Sequence, residues 1–168
     1  MNYSEINSAK RYLDELKGCN LVSAGRASSL AWFLFVKEDD EYALHLQTGF
    51  RVVVDDSIYF TSSDIFQPSE IVENAECFNF ENFDWDVQGN NRYDEKVKLF
   101  SEKYSFNLCV SEVSLNQFRD LLIQLSGAVK IEVFVNASRG ECWRFFKRNS
   151  DSHLVITGEG LENDYPIY

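Results

Sequence analysis

The sequence predicts an α+β chain, mainly antiparallel β-sheet, with an N-terminal helix and a connecting helix. Three observations predict it. Between Asp120 and Gly158, four apolar runs (121–125, 129–135, 142–146 and 153–157) are separated by turn chemistry. Val129, Ile131 and Val133 alternate with Lys130, Glu132 and Phe134, the period-2 pattern of a strand with one buried face. A comparable series lies in the first half, at 32–36, 43–47, 50–54 and 58–60, while helical spacing stands uncontested only over 3–17 and 92–104.

Taken in order, Asn2-Tyr3-Ser4-Glu5 has the form of a capping box, with Asn2 as N-cap and Glu5 reaching back. Ile6, Ala9, Tyr12, Leu13 and Leu16 share one helical face and Gly18 supplies the stop, so helix is expected over 3–17. Leu21 to Ala24 reads as a first strand. Residues 29–36 form a continuous apolar run, fit for a strand buried on both faces. The acidic turn Glu38-Asp39-Asp40-Glu41 follows, then Tyr42 to Gln47, where Leu44 and Leu46 alternate with His45 and Gln47. Phe50 to Val54, the turn Asp55-Asp56 and Ser57 to Phe60 make a hairpin, and Thr61 to Asp64 starts a short helical turn. Tyr93, Val97, Phe100 and Tyr104 recur at helical spacing, which predicts helix over 92–104.

The stretch 115–126 admits two readings. Ser114 and Gln117 form a second capping-box pattern, and Leu115, Phe118, Leu121, Leu122 and Leu125 have helical spacing. The same residues supply a strand at 121–125, which Ser126-Gly127-Ala128 turns into a hairpin with 129–135. The strand is preferred because it completes a four-stranded antiparallel meander that repeats the one in the first half. The chain then reads as one domain with an internal duplication of a β-meander unit, at about 20–65 and 105–160, joined by an acidic connector at 66–104. Phe50-Arg51 and Trp143-Arg144 correspond across it.

Composition bounds the rest. At 168 residues, 45% hydrophobic and with 14 Phe, the chain can bury a self-sufficient core. No apolar run approaches a membrane span and the first five residues are not a signal-peptide n-region, so a cytoplasmic protein is expected. Cys19, Cys77, Cys109 and Cys142 are scattered singly, which favours reduced thiols. The net charge of −11 is uneven: residues 38–95 carry −13, against +2 before them and zero after. Such a field draws basic partners and argues against nucleic acid, whose phosphates need the opposite sign.

No spacing demands a reaction. His45 and His153 lack an H-x-x-x-H or H-E-x-x-H context and read as structural strand residues, without a metal. Cys142 beside Arg144 reads as inert packing. Arg51 and Arg144 each follow an aromatic inside an apolar strand; buried ion pairs are the preferred account, ahead of a clamp for a ligand carboxylate. Glycine-rich phosphate loops and a nucleophile elbow are missing, and no cofactor is expected. The best working surface is 76–86, where Phe78, Phe80, Phe83 and Trp85 interleave with Glu76, Glu81, Asp84 and Asp86. It combines aromatic anchors with charge that speeds association. Alternatively, the phenylalanines cover the sheet and only the acids meet water.

The string V-K-I-E-V-F-V-N-A-S-R-G-E-C-W-R-F-F, followed by H-L-V-I-T-G-E-G, and the earlier Gly49-Phe50-Arg51-Val52-Val53 resemble a group of small bacterial proteins. Some of these are immunity proteins of polymorphic or contact-dependent growth-inhibition toxin systems. The resemblance spans about 20–65 and 105–160 and its motifs are structural. It implies a non-enzymatic binding protein that occludes the active site of a basic toxin domain, a nuclease foremost. The resemblance carries over no binding residues; from the charge and aromatic content of the middle third, those expected at the contact are Glu38, Asp39, Asp40, Glu41, Glu76, Glu81, Asp84, Trp85 and Asp86. The alternative is a small-molecule-binding β domain or enzyme using Arg51 and Arg144 in a sheet cavity.

Overall fold

The computed structural model describes residues 3–105 and 107–164. Helix α1 (Tyr3–Leu13) ends in a 3-10 turn at Asp14–Leu16, short of the expected helix to residue 17, and Gly18 takes the left-handed conformation (φ 81°). The capping box of Asn2 and Glu5 lies outside the described side chains. Five strands follow: β1 (Asn20–Ala27), β2 (Leu30–Lys37), β3 (Asp40–Leu46), β4 (Phe50–Val54) and β5 (Ser57–Thr61). Thr61 and Asp64 cap the 3-10 turn Ser62–Phe66 reciprocally, as their spacing implies. After the short helix α2 (Glu70–Glu73) and a long loop comes α3 (Arg92–Tyr104). The second half holds β6 (Leu108–Leu115), β7 (Leu121–Leu125), β8 (Val129–Val133), β9 (Glu141–Lys147), β10 (His153–Thr157) and β11 (Leu161–Asp164). The fold is α+β and mainly antiparallel.

All eleven strands join in the order β11-β10-β9-β3-β2-β1-β6-β7-β8-β4-β5. Strands β3 and β4 are consecutive in the chain yet six strands apart in this order, roughly 29 Å if the sheet lay flat. The four Cα steps from Leu46 to Phe50 reach at most about 14 Å. The sheet must therefore fold over on itself. The crossing is tied by Phe134 N–H donating to the Gly49 carbonyl (2.9 Å), and by the Thr48 hydroxyl, which bonds the Phe134 carbonyl and meets the Asn136 amide.

Read outward from the β1–β6 pair, the sheet runs β1-β2-β3-β9-β10-β11 on one side and β6-β7-β8-β4-β5 on the other. Each half thus sends its last hairpin to the opposite side. The first five strands of each side match in order, β11 has no counterpart, and Phe50-Arg51 and Trp143-Arg144 occupy corresponding places. The symmetry is one of strand order alone. It corrects the four-stranded meander: β7 pairs β8 and β9 pairs β10, but β8 pairs β4, and β9 pairs β3. The seven residues between β8 and β9 are too many for a tight hairpin, and they cross the fold instead.

The contested stretch is strand, turn and strand. Asn116 Oδ1 accepts the N–H groups of Phe118 (2.8 Å) and Asp120 (3.0 Å), so local Asx bonding ends β6 where a helix would begin. Strand β6 itself escapes a period-2 reading because a bulge sits between Val110 and Glu112 and breaks the alternation. Strand β2 is not buried on both faces. Ala31, Phe33 and Phe35 are in the core, while Trp32 and Leu34 are half-buried on the outer face. The Trp32 indole lies on Gly25, where an added Cβ would come within 2.5 Å of the ring.

One core serves the whole sheet, and phenylalanine builds it. Phe33 meets Phe50 (5.8 Å between ring centres), Phe50 meets Tyr93 (6.1 Å), Tyr93 meets Phe60 (5.4 Å), and Phe60 meets Phe100 (5.9 Å), all edge-on. This chain of rings links both sides of the folded sheet to α3. The Tyr93 hydroxyl, fully buried, donates to the Gly25 carbonyl (3.1 Å).

Candidate functional site

Residues 67–91 leave the sheet as a closed excursion between β5 and α3. At its base, Ser69 N–H donates to the Asn90 carbonyl (2.7 Å), Arg92 N–H donates to the Gln67 carbonyl (2.8 Å), and Pro68 bridges Asn91. Asn91 is fully buried and does two things. Its Oδ1 accepts Asp94 N–H (2.8 Å), capping α3, and its Nδ2 donates to the Trp85 carbonyl (2.8 Å). Beneath the loop, Arg26 of β1 donates through Nε and Nη2 to both oxygens of Asp94 (2.8 Å each) and through Nη1 to Asp86 (3.3 Å).

The four aromatics of 76–86 divide differently from either sequence expectation. Trp85 is half-buried, packs against the core and meets Phe66 edge-on at 4.9 Å, so it anchors the loop. Phe78, Phe80 and Phe83 do not cover the sheet. They touch one another at 5.8–6.4 Å in a cluster of their own, and Phe80 is 59% exposed. Beside them, a groove of about 420 Å³ is lined by Ile71, Val72, Cys77, Phe78, Phe83 and Asp84. Ile71, at 83% exposed, is the most exposed large apolar side chain among the described residues. The whole loop carries Glu70, Glu73, Glu76, Glu81, Asp84 and Asp86 and no basic residue. Just outside it, Arg92 pairs with Glu73 at 3.3 Å.

The acids of 38–41 are not part of this surface. They sit at the β2–β3 turn, beside Asn20 at the start of β1, whereas the loop attaches at Arg26. Six residues of strand separate the two, about 20 Å. Asp40 pairs with Lys147 (2.7 Å) and Glu41 with Arg148 (2.7 Å); among the described residues, Glu38 and Asp39 join no ion pair. The expected contact set therefore falls into two patches.

The sheet does bring the histidines together. His45 is on β3 and His153 on β10, strands that the hairpin exchange places either side of β9. Phe146 lies between them, stacked on His153 (4.3 Å, 8°) and edge-on to His45 (5.0 Å, 90°). Arg144 donates to Glu141 through Nε (2.7 Å) and Nη2, and its Nη1 meets His153 Nδ1 at 3.5 Å. Burial, then the nearby Arg144 charge, holds the His45 pKa below the usual imidazole value. The Arg144 hydrogen bonds hold the Glu141 carboxyl below the usual carboxylate range. The row is a satisfied packing cluster, with no nucleophile set against a base.

Arg51 pairs with Glu132 and stands over the Phe134 ring at 5.3 Å. It lines a groove with Asp120 and Leu122, on a strand seven places from that of Arg144 in the sheet order. Both arginines form ion pairs, half-exposed and not buried as expected, and the groove that Arg51 lines does not include Arg144. Cys142 is buried. Among the described residues no three His, Cys, Asp or Glu side chains are placed to hold a metal, and no helix is long and apolar enough to cross a membrane.

Sequence reasoning missed Ile71 and Arg26. The signal for Arg26 was available, since a lone cation inside Leu21-Val22-Ser23-Ala24-Gly25-Arg26-Ala27 must find an acid, as for Arg51 and Arg144. Ile71 has no such signal, because an isolated apolar residue in a polar stretch is ordinarily unremarked. Compared with known proteins, the chain matches no family model, no curated protein and no solved structure.

Proposed function

We propose that this chain is a binding protein of the immunity type, which neutralises a basic toxin domain, a nuclease foremost, by seating loop 67–91 in its active-site cleft in the cytoplasm. One observation carries the reading: exposed Ile71 and Phe80 stand at a groove lined by Ile71, Phe78 and Phe83, on a loop that carries six acids and no basic residue. Exposed apolar clusters on such a scale mark contact surfaces, and a one-signed loop selects a partner of the other sign. A cationic cleft offering an apolar side chain between Lys or Arg residues meets both requirements. Trp85 is then the base of the contact, and Phe80 and Ile71 its anchors. The turn 38–41, about 20 Å away, contributes through its long-range field alone, which salt screens.

The test has two arms. A cationic amphipathic Leu/Lys peptide is titrated into the protein across a salt series, and, where a toxin domain is encoded beside this chain, cells expressing that domain are scored for survival. Wild type binds and rescues; Ile71→Glu/Phe80→Glu, with the fold intact, loses both. Equal rescue by that double variant would move the contact off the loop.

A further inference from the structure

We propose that Arg26, although it lies in the sheet beneath the loop, is the positioning residue of the docking surface. This rests on the docking role given to loop 67–91 above. The excursion is 25 residues long and contains no strand; only short helical turns organise it. Left to itself, such a segment would have to be ordered at the moment of binding, which subtracts from affinity. Trp85 is the loop's one aromatic packed against the core. What fixes the chain after Trp85 is the Arg26 guanidinium.

Its three nitrogens make hydrogen bonds to α3, to the loop and to the β1–β2 turn. Nε and Nη2 grip Asp94 (2.8 Å each), and Nη1 reaches Asp86 Oδ1 (3.3 Å) and the Ser28 carbonyl (3.2 Å). Nη2 also reaches the carbonyls of Asp86 (3.2 Å) and Val87 (3.3 Å). Asp94 Oδ2 in turn accepts Gly89 N–H (2.7 Å), so one carboxylate ties the loop to α3 and to Arg26 together. The side chains of Arg26 and Asp94 are 1% and 6% exposed, while Asp86 remains 56% exposed and keeps a face to solvent. The clamp therefore holds an acid of the loop at the surface while satisfying the backbone that carries it. A planar fork suits this arrangement; a lysine ammonium has three donors at a single point and cannot span Asp94 and two carbonyls.

The experiment compares wild type, Arg26→Lys and Asp94→Asn by amide hydrogen exchange and by binding of the Leu/Lys peptide. Arg26→Lys keeps the net charge, so any change in binding reflects loop order and not the field. With the clamp loosened, the amides of residues 85–91 exchange at least about tenfold faster while those of β2, β3 and β7 keep their protection. Peptide affinity falls about tenfold with an unchanged salt slope. Asp94→Asn, which keeps Arg26, reproduces the loop effect and stands in if Arg26→Lys does not fold. Unchanged exchange at 85–91 in both variants overturns the proposal, as does unchanged affinity in a variant whose loop has loosened. A wild-type protein that does not bind the peptide overturns the docking reading, and with it the role of Arg26 in binding. The exchange arm then still decides whether Arg26 orders the loop.

Discussion

Three arginines stand in apolar strands, and burial gives them different energies. The Arg51–Glu132 pair is half in water, with side chains 42% and 24% exposed. Glu132→Gln should therefore cost no more than about 1 kcal/mol. Arg26→Met strands the Asp94 carboxylate under the loop and should cost about 3–5 kcal/mol. Urea unfolding of the two variants side by side checks the contrast; equal losses would show that burial is not the deciding variable. Gly25 offers a second residue-scale test. Gly25→Ala forces the Trp32 indole off the strand and should cost about 1–3 kcal/mol, a loss that shrinks when Trp32→Ala is added.

His45 supplies a pH dependence. Its folded pKa is lowered, so the unfolded chain binds the proton more readily below the usual value of 6.5. Stability is then fully present above 6.5 and falls as pH drops through that value toward the lower folded one. The groups facing His45 are Arg144, Glu141 and His153, with Phe146 between the rings. His45→Gln should flatten the stability profile between about pH 7 and 5. Denaturant titrations at fixed pH values read this directly, and an unaltered slope in the variant would place the titration elsewhere.

At the scale of elements, the loop is separable from the sheet that carries it. Its ends are held by Ser69, Asn90 and Arg92, and its apolar groove contributes nothing to the core. Replacing residues 70–83 by a short Gly/Ser link should leave cooperative unfolding intact and remove peptide binding. Collapse of the fold would mean that the Phe78, Phe80 and Phe83 cluster is structural after all. The elements themselves were largely legible in the sequence, since β7 and β8 alternate and β9 and β10 are apolar runs, all set between turn residues. Strand β6 was not, because its bulge shifts the alternation partway along. The candidate site was half legible: the acids and rings of 76–86 were evident, but how the loop is seated depends on Asn91, the N-cap of α3, and on Arg26 of the first strand.

At the scale of the molecule, the exchange of hairpins makes the two halves interdependent. Hairpin β4–β5 completes the side built by the second half, and β9–β10 completes the side built by the first. Residues 1–90 and 91–168 expressed apart should each lack a cooperative transition, because each would expose an unpaired strand edge and half a core. A cooperative thermal transition in either piece alone would contradict this. The same exchange explains what could and could not be read beforehand. Most helices, strands and turns are set by periodicities and turn residues within a few positions, so the amino-acid order alone determined most of them, together with the acidic middle third. Pairing between β3 and β9, or β4 and β8, joins residues on the order of a hundred positions apart. Any buried strand edge with apolar alternation would satisfy those backbone donors equally well. Only the closing of one core around Phe33, Phe50, Phe60, Tyr93 and Phe100 selects among the partners. That choice sets the two histidines around Phe146, separates the turn 38–41 from the loop, and leaves the phenylalanine groove facing solvent.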